Sequence, residues 1–359
     1  MTATSDTQAK MHAHVLLTRP PRRYWFLSLA AVAFNLAGWS AMVAVGTIPS
    51  EITSYALNIL IYVLYSAVLI CVDRLVYLAK EKRALVTTAT PANAFSSHWI
   101  ERLSVNAPIL IAIFLFLPVF SMLKSAIPVF TDYTWDATFI AWDHAIHGQD
   151  AWRMIQPLLG WPLITAILAF FYHLWMLLPY FGCLTILYFV RDKALVFRFF
   201  TAYFLCWIVL GVIGAIWLAS VGPCFAAPML GIHTFDPQMA YLREANTQYP
   251  VMVLQVQDAL IEWYQSGSKG LGRGISAMPS MHVSIAVLFA MVTYRISRPL
   301  CIAASVFAAL IMLGSVHLAY HYAVDGYVAI IATLAIWVLA GWIERKTRAW
   351  GQGIIPSVQ

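Results

Sequence analysis

Eight runs of about twenty predominantly apolar residues, at roughly 24–47, 54–79, 106–127, 160–189, 199–220, 280–296, 299–319 and 323–343, narrow what this chain can fold into. Coiled as an α-helix, a run of that length spans the ~30 Å hydrocarbon core of a bilayer. In hydrocarbon every backbone N–H and C=O must be paired within the protein, which only helices and closed barrels achieve. A barrel needs short segments of alternating polarity, and these runs are continuous. The expected fold class is all-α, a polytopic membrane protein of about eight transmembrane helices. The run at 160–189 holds Pro162 and Pro179 and is expected to kink or tilt.

Charged residues make up only 11% of the 359, against roughly 25% in soluble domains. That is too few to coat a soluble globule, so a cytosolic enzyme, a disordered chain and a nucleic-acid binder are excluded. The net charge of +6 is then a matter of topology rather than of a polyanion partner. Four of the five cysteines, Cys71, Cys183, Cys206 and Cys301, lie in or beside apolar runs, and only Cys224 falls in a loop, so no disulfide framework or cysteine metal site is indicated.

Lysine and arginine are unevenly shared between alternate loops. All but Lys124, Arg153, Arg243, Lys269 and Arg273 fall on one side. The positive-inside rule then puts both termini in the cytoplasm and loops 128–158, 221–279 and 320–322 outside. The first run is too long for a signal-peptide core and lacks a small-residue cleavage site, so it is read as an uncleaved helix. Loop 221–279 carries apolar residues throughout and is expected to pack over the helix ends. Residues 135–152 mix Trp, Phe and Ile with Asp and His, the pattern of one amphipathic helix lying flat in the interface.

Two histidine clusters fall at the outer face. In Pro279-Ser280-Met281-His282, Pro279 and Ser280 suit the start of a helix, whose free N–H groups and positive dipole end favour an anion. His282 would sit in that first turn. A plain capped helix with a satisfied histidine fits the same residues. In the second cluster His321 and Asp325 are four apart, so one helical turn would stack them. A carboxylate on one imidazole nitrogen fixes the tautomer and raises the basicity of the other, which suits a nucleophilic histidine. A buried polar pair joining two helices is the structural reading. His144, His147 and His233 keep a zinc site open, although the serine and proline context suits an anion better than a cation.

The two clusters resemble the signatures of the type 2 phosphatidic acid phosphatase superfamily. Pro279-Ser280-Met281-His282 matches its Pro-Ser-Gly-His motif, and His321 and Asp325 match the end of its third motif. Gly314 and Ser315 replace that motif's Ser and Arg, and its first motif has no match. These departures, with 274–282, 321–325, Gly222-Pro223-Cys224 and the Asp136…Asp143…Gly148 stretch, are similar to the branch containing inositol phosphorylceramide synthase and its bacterial relatives. The resemblance implies a six-helix phosphatase-like core over 106–343, with loop 221–279 outside. Residues 1–23 would be a cytoplasmic tail, 24–105 two extra helices with a cytoplasmic loop, and 344–359 a second tail.

The resemblance also implies roles. His321 would attack phosphorus, Asp325 would orient it, and His282 would protonate the leaving oxygen. Ser280 and backbone amides would hold the phosphate, with His317, Lys269, Arg273 and Arg243 standing in for the missing cations. No metal or other cofactor is called for. The expected activity is that of an integral-membrane lipid phosphatase or phosphotransferase acting on a lipid phosphate or phospholipid at the outer face. The acceptor is water or a lipid or polyol hydroxyl, with a slight preference for head-group transfer, and the expected location is a bacterial inner membrane. The alternative is a non-catalytic lipid-binding protein or transporter with a structural polar cluster. A vanadate-dependent haloperoxidase would share the anion pocket, but those enzymes are soluble.

Overall fold

A computed structural model describes residues 20–46, 52–83, 92–267 and 272–352. Among the described residues every regular element is helical. In chain order these are α1 (Arg22–Ala44), α2 (Ile52–Arg83), α3 (Ala92–Ser125), α4 (Asp136–His147), α5 (Ala151–Leu159), α6 (Pro162–Phe189) and α7 (Lys193–Trp217). There follow α8 (Asp236–Gln248), α9 (Val253–Gln265), α10 (Met281–Tyr294), α11 (Arg298–His317) and α12 (Ala323–Gln352). Among them α1, α2, α3, α6, α7, α11 and α12 are long and apolar enough to cross a bilayer, so this is an integral membrane protein.

The sequence predicts an eighth crossing at 280–296. There the chain forms α10, which has 14 residues. At 1.5 Å per residue it is about 21 Å long, short of the hydrocarbon thickness. Ser280 caps it within the protein, because residues 272–279 run as a loop across the end of α3 instead of extending the helix. A helix that is apolar all round belongs in an interior. Val283, Ile285, Ala286, Leu288, Phe289 and Val292 of α10 are all buried, against α7, α11 and α12. By contrast α1 and α2 expose Phe26, Leu29, Leu36, Leu57, Leu60 and Leu64, as lipid-facing helices do.

Pro179 interrupts α6. A proline lacks the N–H that the helix ladder needs, and here the chain passes through a 3₁₀ turn at Trp175–Leu177 and a π turn at Leu178–Gly182. The Tyr62 hydroxyl of α2 donates to the Pro179 carbonyl at 2.8 Å and so occupies one polar group of the break.

The flat helix predicted over 135–152 is two helices, α4 and α5, separated at Gly148, whose φ is +74°. Loop 221–279 folds into the short helix Pro223–Leu230 followed by α8 and α9. Two glycines let it approach the bundle closely. Gly222 has φ +91°, and a Cβ there would lie 2.6 Å from the Tyr320 carbonyl oxygen. Gly274 has φ +102°, and a Cβ there would lie 2.8–2.9 Å from the backbone of Lys124 and Ser125. Ser125 Oγ then donates to the Arg273 carbonyl at 3.1 Å and the Tyr133 hydroxyl to the Ile275 carbonyl at 2.8 Å. Together these contacts fasten 272–279 to the end of α3.

Candidate active site

Each histidine cluster sits at a helix start, where backbone amides lack intrahelical partners. His321 lies two residues before the first residue of α12, and Asp325 lies in its first turn. Both are buried, and His321 Nδ1 is 3.1 Å from Asp325 Oδ2, which also accepts the Tyr322 amide at 3.1 Å. The first amides of α12 are capped from outside the helix. The Asp143 carboxylate of α4 accepts Ala323 N–H at 2.8 Å and Val324 N–H at 3.0 Å. Two turns earlier on α4, Asp136 accepts Val221 and Gly222 amides at 3.0–3.1 Å and the Tyr322 hydroxyl at 2.7 Å. Thus α4 holds the His321 loop and the start of loop 221–279 together. Burial raises the Asp143 carboxyl above its usual range, and the two amide bonds oppose that shift.

At α10 the Ser280 side chain is the cap, accepting Val283 N–H at 3.4 Å, while Ser280 N–H donates to the Asp325 carbonyl at 3.2 Å. That backbone bond joins the starts of α10 and α12. His282 follows in the first turn. Its ring stacks on Tyr172, with centroids 4.5 Å apart, and lies 4.1 Å from Trp175. The His282 and His321 ring centroids are 6.0 Å apart.

Both imidazoles line a cavity of about 370 Å³. Lys124, His173, Arg273 and Tyr320 also line it, together with Phe120, Trp207 and Gly211. Burial pushes the His321 imidazole down to about 3, with the Lys124 charge acting in the same direction and an Ala277 backbone contact acting against it. His321 is therefore neutral at neutral pH. A neutral His321 that donates Nδ1–H to Asp325 would carry its lone pair on Nε2.

The cavity thus brings together His282, His321 and Arg273, with Asp325 directly behind His321. The other predicted phosphate ligands lie elsewhere. Ser280 is buried as a helix cap and does not line the cavity. His317 is also buried outside it, with Nε2 2.9 Å from Thr165 Oγ1. Arg243 is on the surface, 3.1 Å from Asp258. Lys269 lies outside the described residues. Arg273 stacks over Trp263 at 4.6 Å.

Sequence reasoning missed Lys124 and His173. The available signal for Lys124 was its position as one of five bases on the sparsely basic side, closing an apolar run. Its place in the site depends on loop 272–279 folding back over it. Of the histidines considered for zinc, His144 is 2.5 Å from Asp150, His147 2.9 Å from the Tyr327 hydroxyl and His233 2.8 Å from Asp236. Among the described residues, no three His, Cys, Asp or Glu side chains group as a metal site would need.

A buried imidazole beside a carboxylate, a second imidazole next to it, and a lysine and an arginine in the same cavity lining can bind and transfer an anionic group. Residues 137–339 match the family model described as the PAP2 superfamily. No curated protein and no solved structure matches the chain.

Proposed function

This chain belongs to the PAP2 superfamily, and from that membership we propose that it is a membrane enzyme transferring the phosphoryl or phosphoryl-head group of a lipid through a phosphohistidine at His321. PAP2 membership and the apolar helices make it a phosphatase-like integral membrane protein acting on lipid phosphates. The observation that carries the finer reading is the 6.0 Å separation of His282 and His321 in a cavity that Lys124 also lines.

The chemistry then runs in two steps. His321 Nε2 attacks phosphorus and forms an N–P bond as the bond to the lipid oxygen breaks. Asp325 holds Nδ1–H so that the lone pair stays on the attacking nitrogen. Burial holds the His282 imidazole well below the ordinary histidine value, with His321, Lys124 and His173 acting in the same direction, so it takes up its proton only with the phosphate anion beside it and then gives that proton to the departing oxygen. The acceptor oxygen attacks phosphorus next, the N–P bond breaks and the acceptor's proton returns to His282. Lys124 and Arg273 offset the phosphate charge, which is the main demand of phosphoryl transfer. Water as acceptor gives a phosphatase, and a lipid or polyol hydroxyl gives a transferase. The synthase-like motifs favour head-group transfer.

The core would be 106–343, with 24–105 as two added helices. In this proposal the cation-poor loops place the histidines on the outer face of a bacterial inner membrane, with both termini cytoplasmic. The test is to incubate purified protein with phosphatidic acid and with phosphatidylinositol, each labelled in its phosphate. Wild type should acquire an acid-labile, base-stable label that His321→Asn lacks. A well-folded wild type that turns over lipid and never carries the label would refute the phosphohistidine. A protein that neither turns over nor is labelled would favour the lipid-binding alternative.

A further inference from the structure

A second cleft, of about 430 Å³, lies at the opposite end of the bundle. Arg295 follows the last residue of α10, thirteen residues beyond His282, which is about 20 Å along a helix. We propose that this cleft binds the headgroup phosphate of an anionic phospholipid.

The cleft is built around Arg198 of α7. Its guanidinium lies 4.1 Å over the Trp337 ring of α12, and its Nε and Nη2 donate to the Trp337 carbonyl at 3.3 and 3.1 Å. Gly341, one turn further along α12, leaves the notch that this side chain fills, since a Cβ there would lie 2.8–3.0 Å from the guanidinium. The position is thus shaped for arginine, and two of the five N–H donors that guanidinium carries are engaged with the Trp337 carbonyl. Exposed Arg295 supplies a second guanidinium to the cleft, and the charge of Arg345 also reaches Arg198.

The acid acting on Arg198 is Glu344, and its carboxylate is shared by Arg23 at 3.3 Å and Arg348 at 2.8 Å. Among the described residues no carboxylate is within ion-pair distance of Arg198 or Arg295. Two arginines over an acid-free cleft favour a phosphate bearing net negative charge, which arginine grips in two-pronged fashion. Ser305 adds a hydroxyl, while Val287, Ala290 and Met291 make an apolar floor. Beside the cleft, Ile302 and Val306 of α11 and Val338 of α12 are exposed. Acyl chains of a bound lipid would lie against them, which is the logic of basic pockets between membrane helices. A free phosphate would use the arginines but not this apolar surround.

The test uses full-length protein in non-ionic detergent, titrated with phosphatidylglycerol, phosphatidylcholine or inorganic phosphate. Melting temperature and native mass spectrometry are the readouts. Phosphatidylglycerol should be retained and raise the melting temperature, while the other two do little. Arg295→Gln, at an exposed position, should weaken phosphatidylglycerol about tenfold, the scale of one charged hydrogen bond. Arg198→Gln should do the same if it folds. Arg191→Gln, an exposed base at the same end but outside the cleft, should change nothing. Equal retention of the two lipids, equal stabilisation by inorganic phosphate, unchanged binding in Arg295→Gln, or equal loss in Arg191→Gln would each overturn the assignment.

Discussion

The carboxylate of Asp143 accepts the amide hydrogen of Ala323 at 2.8 Å, across 180 residues of chain. A surface helix thereby caps the membrane helix whose first turn carries Asp325. Removing the cap leaves two buried amides without partners, at a cost of roughly 1–3 kcal/mol each before relaxation. Asp143→Ala is expected to lower the melting temperature and to slow turnover by freeing the His321 loop. Asp143→Asn keeps one acceptor oxygen and should fall between the two. Turnover unchanged in Asp143→Ala would mean that the His321 loop does not depend on this cap.

In the proposed mechanism the imidazoles divide the work, so their variants should differ. His321→Asn removes the nucleophile and should bring turnover below detection. His282→Asn removes the proton donor and should cost about 10²–10⁴-fold, less for substrates whose leaving group needs no proton. Asp325→Asn should cost a comparable factor by stabilising the wrong tautomer. Rates measured with a phosphate monoester of an acidic phenol separate these cases, since only the His282 variant should recover with a good leaving group.

The pH profile carries a sign. His321 is held below the ordinary histidine value of 6.5 by burial and by Lys124. Its lone pair is therefore available well below pH 6.5, and the acid limb of kcat/KM should lie there. Lys124→Gln removes a positive neighbour, which raises the His321 value and moves the acid limb to higher pH, while weaker phosphate binding lowers the rate. A limb that stays fixed, or moves to lower pH, would contradict the placement of Lys124 beside His321.

Gly211 lines the apolar part of the cavity, where a Cβ would come within 2.7 Å of Phe120 Cε2. Gly211→Ala must displace that ring, and overpacking of this kind costs about 1–3 kcal/mol. The variant should raise KM for long-chain lipid phosphates more than for short-chain ones. A chain-length series on wild type and variant checks this, and a uniform loss across the series would remove Gly211 from the hydrocarbon path.

The membrane helices were legible because each is written in its own twenty residues. The exception is the length of α10, which runs from the site to the opposite end of the bundle but is only 14 residues long because of Ser280 and the path of 272–279 over α3. His282, His321 and Asp325 carry local spacing signatures. Lys124 carries none, because only the close approach allowed by Gly274 folds the loop over it. Ser280 and His317 differ in the other direction. Both lie beside the motifs in sequence, but one turns its hydroxyl to its own helix and the other pairs with Thr165. The role of Asp136 and Asp143 was equally hidden, since their partners at 221–222 and 322–324 are long-range.

The brevity of α10 fixes how deep the reaction takes place. With Arg295 at one rim, its first turn falls about 10 Å short of the far side of a ~30 Å hydrocarbon layer. In the proposed reaction phosphorus would meet His321 beneath the level of neighbouring headgroups, where weak dielectric screening strengthens every charge contact. Bulk water must travel inward to reach that depth, whereas a hydroxyl borne by another bilayer-dissolved molecule arrives by sideways diffusion. For the proposed enzyme, recession alone would tilt the competition between acceptors toward the membrane's own alcohols.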